Sequence, residues 1–327
     1  MKTIRATTFA AAAFAALFSL GAPASAQPKD FPERQPVRLI VTFAAGGGSD
    51  TIARSLHTKL GEKLGQTVIV ENRTGAGGSI ATDYVAKSPA DGYTVLFAVS
   101  SHSINQALYP SLPFDTERDL RGVTLVGALP QVIAVHPSVP AGNLAQWMEL
   151  ARKDAKYRQY ASGGVGSPGH LAGGLLQSMA KLPLEHIPYR GAGPAVADVV
   201  GNQVPVVIGT LSAAIPHIRT GKLKALAVTS TVRSPLLPDV GTVAEAVPGY
   251  ESDTWIGTFV PRATPDAVVQ KLHAATLTAL EDPATKARIE TQAGRIIGGP
   301  PAALDALVAR EIKQFTQVVR EQNIRPE

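Results

Sequence analysis

Val37-Arg-Leu-Ile-Val-Thr-Phe-Ala-Ala-Gly-Gly-Gly-Ser-Asp50 and the residues after it decide the fold. Residues 37–43 form an apolar run bounded by turn residues, which predicts a buried strand. Ala44, Ala45, Gly46, Gly47 and Gly48 then make a loop. Ser49 or Asp50 can cap a following helix. Ile52, Leu56, Leu60 and Leu64 recur every fourth residue, as one buried helical face requires.

The strand, glycine loop and helix recur along the chain. Strands are expected at 68–70, 94–99, 132–135, 160–162, 184–187, 204–208, 223–229 and 255–260. Helices are expected at 80–87, 144–155, 170–180, 194–200, 265–280 and 302–322. Such alternation predicts an α/β protein with mostly parallel sheets covered by helices on both faces. The length of 327 residues suits two such sheets. Crossings between them are expected near 125–131 and 229–233. The units are then 27–126 with 231–327, and 127–230.

Composition narrows the function. A hydrophobic content of 45% fits a packed globular chain. Residues 1–26 carry Lys2 and Arg5, an apolar stretch over 9–20, and an Ala24-Ser25-Ala26 ending. That layout predicts a signal peptide cleaved near Ala26, and its apolar core is too short to span a bilayer. Losing Lys2 and Arg5 takes the net charge from +5 to +3. No basic run marks a nucleic-acid or lipid face. The chain has no cysteine, which excludes disulfides, thiol nucleophiles and an N-terminal lipid anchor. A free periplasmic protein without tight membrane association is expected, with no cofactor and no metal.

Four loops rich in Gly, Ser and Thr at strand ends should carry the chemistry. They are residues 43–50, 72–79, 162–170 and 189–194. Ligands of open parallel sheets bind at the carboxyl ends of strands, and helix amino termini there suit anions. Gly164-Val-Gly-Ser-Pro-Gly169 matches G-x-G-x-x-G, but Pro168 removes an N–H from the phosphate turn and export argues against a dinucleotide. The nucleophile elbow, the H-E-x-x-H helix and the phosphate-binding loop are missing. His102, His170 and His186 lack metal-ligand spacing and read as structural hydrogen-bonders. Arg73 and Arg190 sit in glycine loops and could meet a carboxylate. Trp147 reads as core, and Trp255 as either core or pocket wall.

Seven ordered stretches bear a likeness to a known family. They are residues 36–50, Val70-Glu-Asn-Arg-Thr-Gly-Ala-Gly-Gly78, Val85-Ala-Lys-Ser-Pro-Ala-Asp-Gly-Tyr93, His136-Pro-Ser-Val-Pro140, Tyr160-Ala-Ser-Gly-Gly-Val-Gly-Ser167 with His170-Leu-Ala172, Pro188-Tyr-Arg-Gly-Ala-Gly-Pro194 and residues 216–230. The chain resembles the tripartite tricarboxylate transporter solute receptors, the Bug family of periplasmic binding proteins. The resemblance implies a type II-like Venus flytrap of two α/β domains that captures a small organic carboxylate. It implies a monomer that delivers this ligand to the transporter's membrane subunits.

By the same resemblance, one carboxylate end meets Ala44 to Ser49, with Asp50 behind. The opposing loop is Ser162, Gly163, Gly164, Gly166 and Ser167, with His170 opening its helix. Ser101 and His102, leading to Asn105, match a pocket-lining segment. Gly209-Thr210 stands where many members carry an Asp, which favours a dicarboxylate or aromatic acid over an amino acid. Two other readings stay open. One is a ligand-sensing partner of a membrane signalling protein. The other is a periplasmic hydrolase using Asp50, His102 and Ser162.

Overall fold

The computed structural model describes residues 31–43, 45, 48–109 and 111–325. The expected signal peptide, and Ala44, Gly46 and Gly47, lie outside the described residues.

The first strand, β1 (Val37–Val41), is followed by α1 (Gly48–Leu64), β2 (Val68–Asn72), α2 (Ser79–Ala86) and β3 (Thr94–Val99). Then come α3 (Ser101–Leu108), α4 (Thr116–Asp119), β4 (Leu120–Leu129) and β5 (Gln131–Val135). The middle of the chain adds α5 (Leu144–Lys153), β6 (Gln159–Ser162), α6 (Pro168–Ala180), β7 (Glu185–Pro188), α7 (Ala192–Val200), β8 (Val206–Thr210), α8 (Leu211–Arg219) and β9 (Lys224–Val228). The last part holds α9 (Val243–Ala246), β10 (Thr254–Pro261), α10 (Asp266–Glu281), α11 (Pro283–Thr291), β11 (Arg295–Gly299) and α12 (Pro301–Glu321).

These strands form two sheets, ordered β11-β4-β10-β3-β1-β2 and β7-β6-β8-β5-β9. The sequence pattern explains the first. Leu39 and Val41 pack with Ile52, Leu56, Leu60 and Leu64 of α1 on one face. Ile40 packs with Ala81 and Val85 of α2 and Leu304 of α12 on the other. Successive side chains of a strand point to opposite faces, so β1 is apolar on both faces where helices cover it, and its one charged residue, Arg38, pairs with Glu71 of β2.

Each sheet is parallel on one side and antiparallel on the other, so parallel pairing is less general than the alternation predicts. β1 pairs in parallel with β2 and β3, and β6 with β7 and β8. β10 is antiparallel to β3 and β4, β11 to β4, and β5 to β8 and β9. The antiparallel strands flank the crossings. Only Pro130 separates β4 of the first sheet from β5 of the second. The return runs from β9 to β10.

The two crossings are stitched together. Gln131 N–H donates to Thr229 Oγ1 at 3.0 Å, and Thr229 N–H donates to the Gln131 carbonyl at 3.0 Å. Gln131 Nε2 donates to Thr254 Oγ1 at 2.7 Å. All three residues are buried. These bonds satisfy polar groups that would otherwise be orphaned where the sheets meet.

α12 reaches both sheets. Leu304 and Val308 join the core under β1 and β3, whereas Phe315 and Val318 join the core under β6 and β8. Between these pairs lies Glu311, whose Oε2 accepts from Ser103 Oγ at 2.5 Å and Trp255 Nε1 at 2.7 Å. Burial pushes this carboxyl up to about 7. Trp255 is thus core, as is Trp147, whose Nε1 donates to the Tyr157 carbonyl.

A carboxyl raised in the folded state stabilises fully below its unfolded pKa, and loses that contribution as pH rises through the folded value. Glu311→Gln keeps a carbonyl acceptor and removes the charge. Its thermal midpoint should exceed that of the wild type by about 2–4 °C at pH 8 and by little at pH 5. Paired melting curves at the two pH values check this, and a gap that is equal at both would contradict the assignment.

Candidate functional site

Four helices begin at one cavity between the sheets. Its volume is about 490 Å³, and its wall includes Gly48 and Ser49 of α1, Ser167, Pro168 and Gly169 at the start of α6, Gly191 and Ala192 at the start of α7, and Thr210 and Ser212 at the start of α8. Each of these helices follows a strand, β1, β6, β7 or β8 respectively, so the loops lie at carboxyl ends. Gly163 and Gly209 complete the polar rim. Phe43, Val99 and Leu129 supply apolar wall, and Gln131, Thr254 and Gln292 supply neutral polar groups. No Asp, Glu, Lys, Arg or His is among the described residues lining the cavity.

The first turn of a helix leaves N–H groups without intrahelical partners, and the aligned peptides place partial positive charge there. Gly191 and Thr210 give no side-chain cap to α7 and α8; the Leu211 N–H that opens α8 donates to the Pro130 carbonyl at 3.0 Å, so α8 offers a ligand the later amides of its first turn. Ser167 does cap α6, accepting from His170 N–H at 3.2 Å. The cavity can therefore hold an anion by amides alone, without a cationic side chain.

Asp50 sits behind the first loop. Its oxygens accept from Arg54 Nε at 3.1 and 3.0 Å and from Asn72 Nδ2 at 2.8 Å. Asn72 Nδ2 also donates to the Phe43 carbonyl at 2.9 Å. Asp50 thus ties the end of β1 to the start of α1 and to β2.

The second loop is shaped by serine and histidine. Ser162 Oγ accepts from Gly164 N–H at 3.2 Å and lies 3.2 Å from Ser167 Oγ and 2.6 Å from His186 Nε2. Gly166 N–H donates to His170 Nδ1 at 3.1 Å. The His170 and His186 rings stack 3.7 Å apart, inclined by 9°. Burial lowers His170 to about 3, helped by His186, and lowers His186 to about 4, so both rings are neutral near pH 7. Gly166 has φ +72, and a Cβ there would lie 2.8 Å from Leu108 Cδ2 of α3. The loop therefore touches the half of the molecule that carries the first sheet.

The residues singled out from the sequence fall at several places in the fold. Gly48, Ser49, Gly163, Ser167, Gly209 and Thr210 meet at the cavity. Asp50, Ser162, Gly164, Gly166 and His170 are not among the lining residues. Ala45 is exposed in a turn. Ser101 is buried at the start of α3. His102 is buried against Phe259, with ring centroids 4.5 Å apart, and neither ring nitrogen has a hydrogen-bond partner. Burial drives it to about 3, so it is a neutral core residue.

The glycine loop after β2 is a packed turn, not cavity wall: Asn105 Nδ2 donates to the Gly77 carbonyl at 2.9 Å. Arg73 pairs with Glu71 at 2.7 Å and lies over the Tyr84 ring. Neither Arg73 nor Arg190 lines the cavity. Val99, Leu129, Gln131, Ser212, Thr254 and Gln292 escaped the sequence reading. Gln131 and Thr254 flank the crossings, which was their one available signal. Gln292 follows α11 and reaches the first loop only through tertiary folding: its Oε1 is 3.3 Å from where a Cβ on Gly48 would sit.

The family model described as "Tripartite tricarboxylate transporter family receptor" matches residues 52–324. Protein BugT of Bordetella pertussis is 35% identical over 311 residues, covering 94% of each chain. The R. palustris protein Rpa4515, solved with adipate, is 33% identical, with a TM-score of 0.76 over 91% of this chain and 100% of that one. MatC of Rhodopseudomonas palustris, solved with bound malate, is 31% identical, with a TM-score of 0.73 over 88% of this chain and 99% of that one. With its two mixed sheets, its paired crossings and a family match over most of its length, the chain belongs to the tripartite tricarboxylate transporter receptor family.

Proposed function

We propose that this receptor captures a small carboxylate with an uncharged body in the cavity between its sheets, and hands it to the membrane subunits of a tripartite transporter. The single observation that carries this reading is the convergence of four helix amino termini on a cavity whose described wall has no charged side chain. Two lobes, 27–126 with 231–327 and 127–230, close on the ligand, each contributing amides. α1 supplies one end of the grip, and α6, α7 and α8 supply the other. Ligand favours the closed form because only there do both sets of amides reach it. The mature protein works in the periplasm as a monomer. No described helix is long and apolar enough to cross a membrane.

The wall argues for the ligand class. An amino acid needs an acceptor for its ammonium group, and no carboxylate is among the described lining residues. The related proteins solved with adipate and malate hold dicarboxylates of four to six carbons. A cavity of about 490 Å³ suits such acids or a benzene carboxylate. The receptor performs no chemistry on its ligand. Ser162 and His186 are at nucleophile–base distance, but Ser162 Oγ is occupied behind the wall and no carboxylate orients His186.

A thermal-shift screen of adipate, malate, benzoate and glutamate tests the reading. At least one nitrogen-free acid should raise the midpoint progressively with concentration, and glutamate should raise it less. Preference for glutamate over every nitrogen-free acid would overturn the ligand class, and no response to any carboxylate would overturn the site.

Gly209 gives a second test. Its backbone is not left-handed, and a Cβ there meets only Val207 Cγ2 at 3.5 Å, so a side chain fits. Gly209→Asp brings a negative charge to the amide cluster. Dicarboxylate affinity measured by calorimetry should fall by about 10-fold or more, as expected for like charges in a partly dry site.

A further inference from the structure

The cavity wall contains Ser167 but not the residues that hold Ser167 in place. From it a chain of contacts leads away from the cavity: Ser167 Oγ to Ser162 Oγ at 3.2 Å, then Ser162 Oγ to His186 Nε2 at 2.6 Å. The second anchor of the same loop is Gly166 N–H on His170 Nδ1 at 3.1 Å. The two imidazoles that terminate these anchors are stacked 3.7 Å apart. One histidine pair on β7 and α6 thus fixes both the serine side chains and the amides of a loop that has two left-handed glycines, Gly164 and Gly166. Glycine gives such a loop its shape and also the freedom to leave it, so the loop needs external fastening.

We infer that His186 is a positioning residue for ligand capture: its ring nitrogen, bonded to Ser162, holds the turn at Gly164 and the Ser167 hydroxyl so that Gly163 and Ser167 face the cavity that receives the anion. This rests on reading the cavity as the carboxylate site. His186 touches no ligand in this scheme and acts through Ser162.

The chemistry of the pair defines what each ring does. Gly166 N–H is a donor, so His170 Nδ1 must be the acceptor and its proton sits on Nε2. A protonated Nδ1 would set N–H against N–H and release the loop. Neutral rings are therefore required, and the surroundings supply them. Tyr160 of β6 lies 5.2 Å from the His186 ring, and its hydroxyl donates to the His170 carbonyl. Asp198 of α7 is taken by Tyr189, Glu321 of α12 by Ser178, and Glu185 of β7 is exposed. None of these carboxylates acts on either ring.

The test separates the hydrogen bond from the stack. His186→Phe keeps an aromatic ring against His170 and removes the nitrogen. His186→Gln loses the ring and restores a polar group near the Nε2 position. Hydrogen exchange over residues 160–170 is measured without ligand, together with calorimetric affinity for adipate, malate and benzoate. His186→Phe should speed exchange at Gly164 by at least about 10-fold, and at Gly166 by less because His170 still holds it, and should weaken binding by a similar factor to Gly164, since losing a hydrogen bond to a buried group is worth about that much. His186→Gln should recover most of both.

Ser162→Ala should reproduce the Phe variant from the other end of the bond. The double variant Ser162→Ala with His186→Phe should be no worse than either single change. If His186→Phe fails to fold, His186→Met, which also lacks the ring nitrogen, carries the same comparison. Unchanged exchange in the variant without that nitrogen, or a Gln variant as loose as it, would overturn the inference. Failure of all three acids to bind the wild type would sink the carboxylate reading alone, because exchange in the ligand-free protein still decides the role of His186.

Discussion

An anion removed from water must be given hydrogen bonds or a counter-charge, and on the proposed reading the described wall of this cavity offers only hydrogen bonds. That constraint organises the molecule. Backbone amides are available where helices start, and four helices start at this one place. Helices start after strands, so four strands from two sheets must end at one place. Glycine in the loops between them leaves backbone, not side chain, on much of the cavity wall. Asp50 and the His170–His186 pair then keep those loops from relaxing into other shapes, from positions just behind the wall.

The division between wall and support accounts for what the sequence could and could not reveal. Residues 94–99 were legible as a strand to the residue, because an apolar run between turns has few alternative readings. The four-residue spacing of Ile52 to Leu64 was equally plain. β4 was hidden. Gly122 and Gly127 interrupt its apolar pattern, and both are small because backbone from α12 and β11 packs where a Cβ would be. α8 contains Pro216, a helix breaker by rule, and α11 buries only Thr285 and Ile289, too few to draw a face. β11 ends in glycines and reads as a turn. Each of these depends on a neighbour distant in sequence.

The site divides in the same way. Glycines beside a strand end point to a ligand loop from local pattern alone, and Gly48, Gly163 and Gly209 do meet at the cavity. Gln292, Thr254 and Val99 reach it only after the sheets are assembled, and a side chain that is ordinary in its own segment carries no local mark. His102 shows the opposite effect. Read from the sequence as a structural hydrogen-bonder, and by resemblance as pocket lining, it does neither: packing against Phe259 buries it with both ring nitrogens unpaired and away from the cavity wall.

α12 binds the two lobes into one mechanical object. Its first half is part of one core and its second half part of the other, with the Glu311 carboxyl at the joint. A rigid rod glued to both jaws cannot stay glued along its whole length while they swing. Any swing of one sheet against the other would have to shear one of its two contacts or bend the rod, and either loses apolar packing.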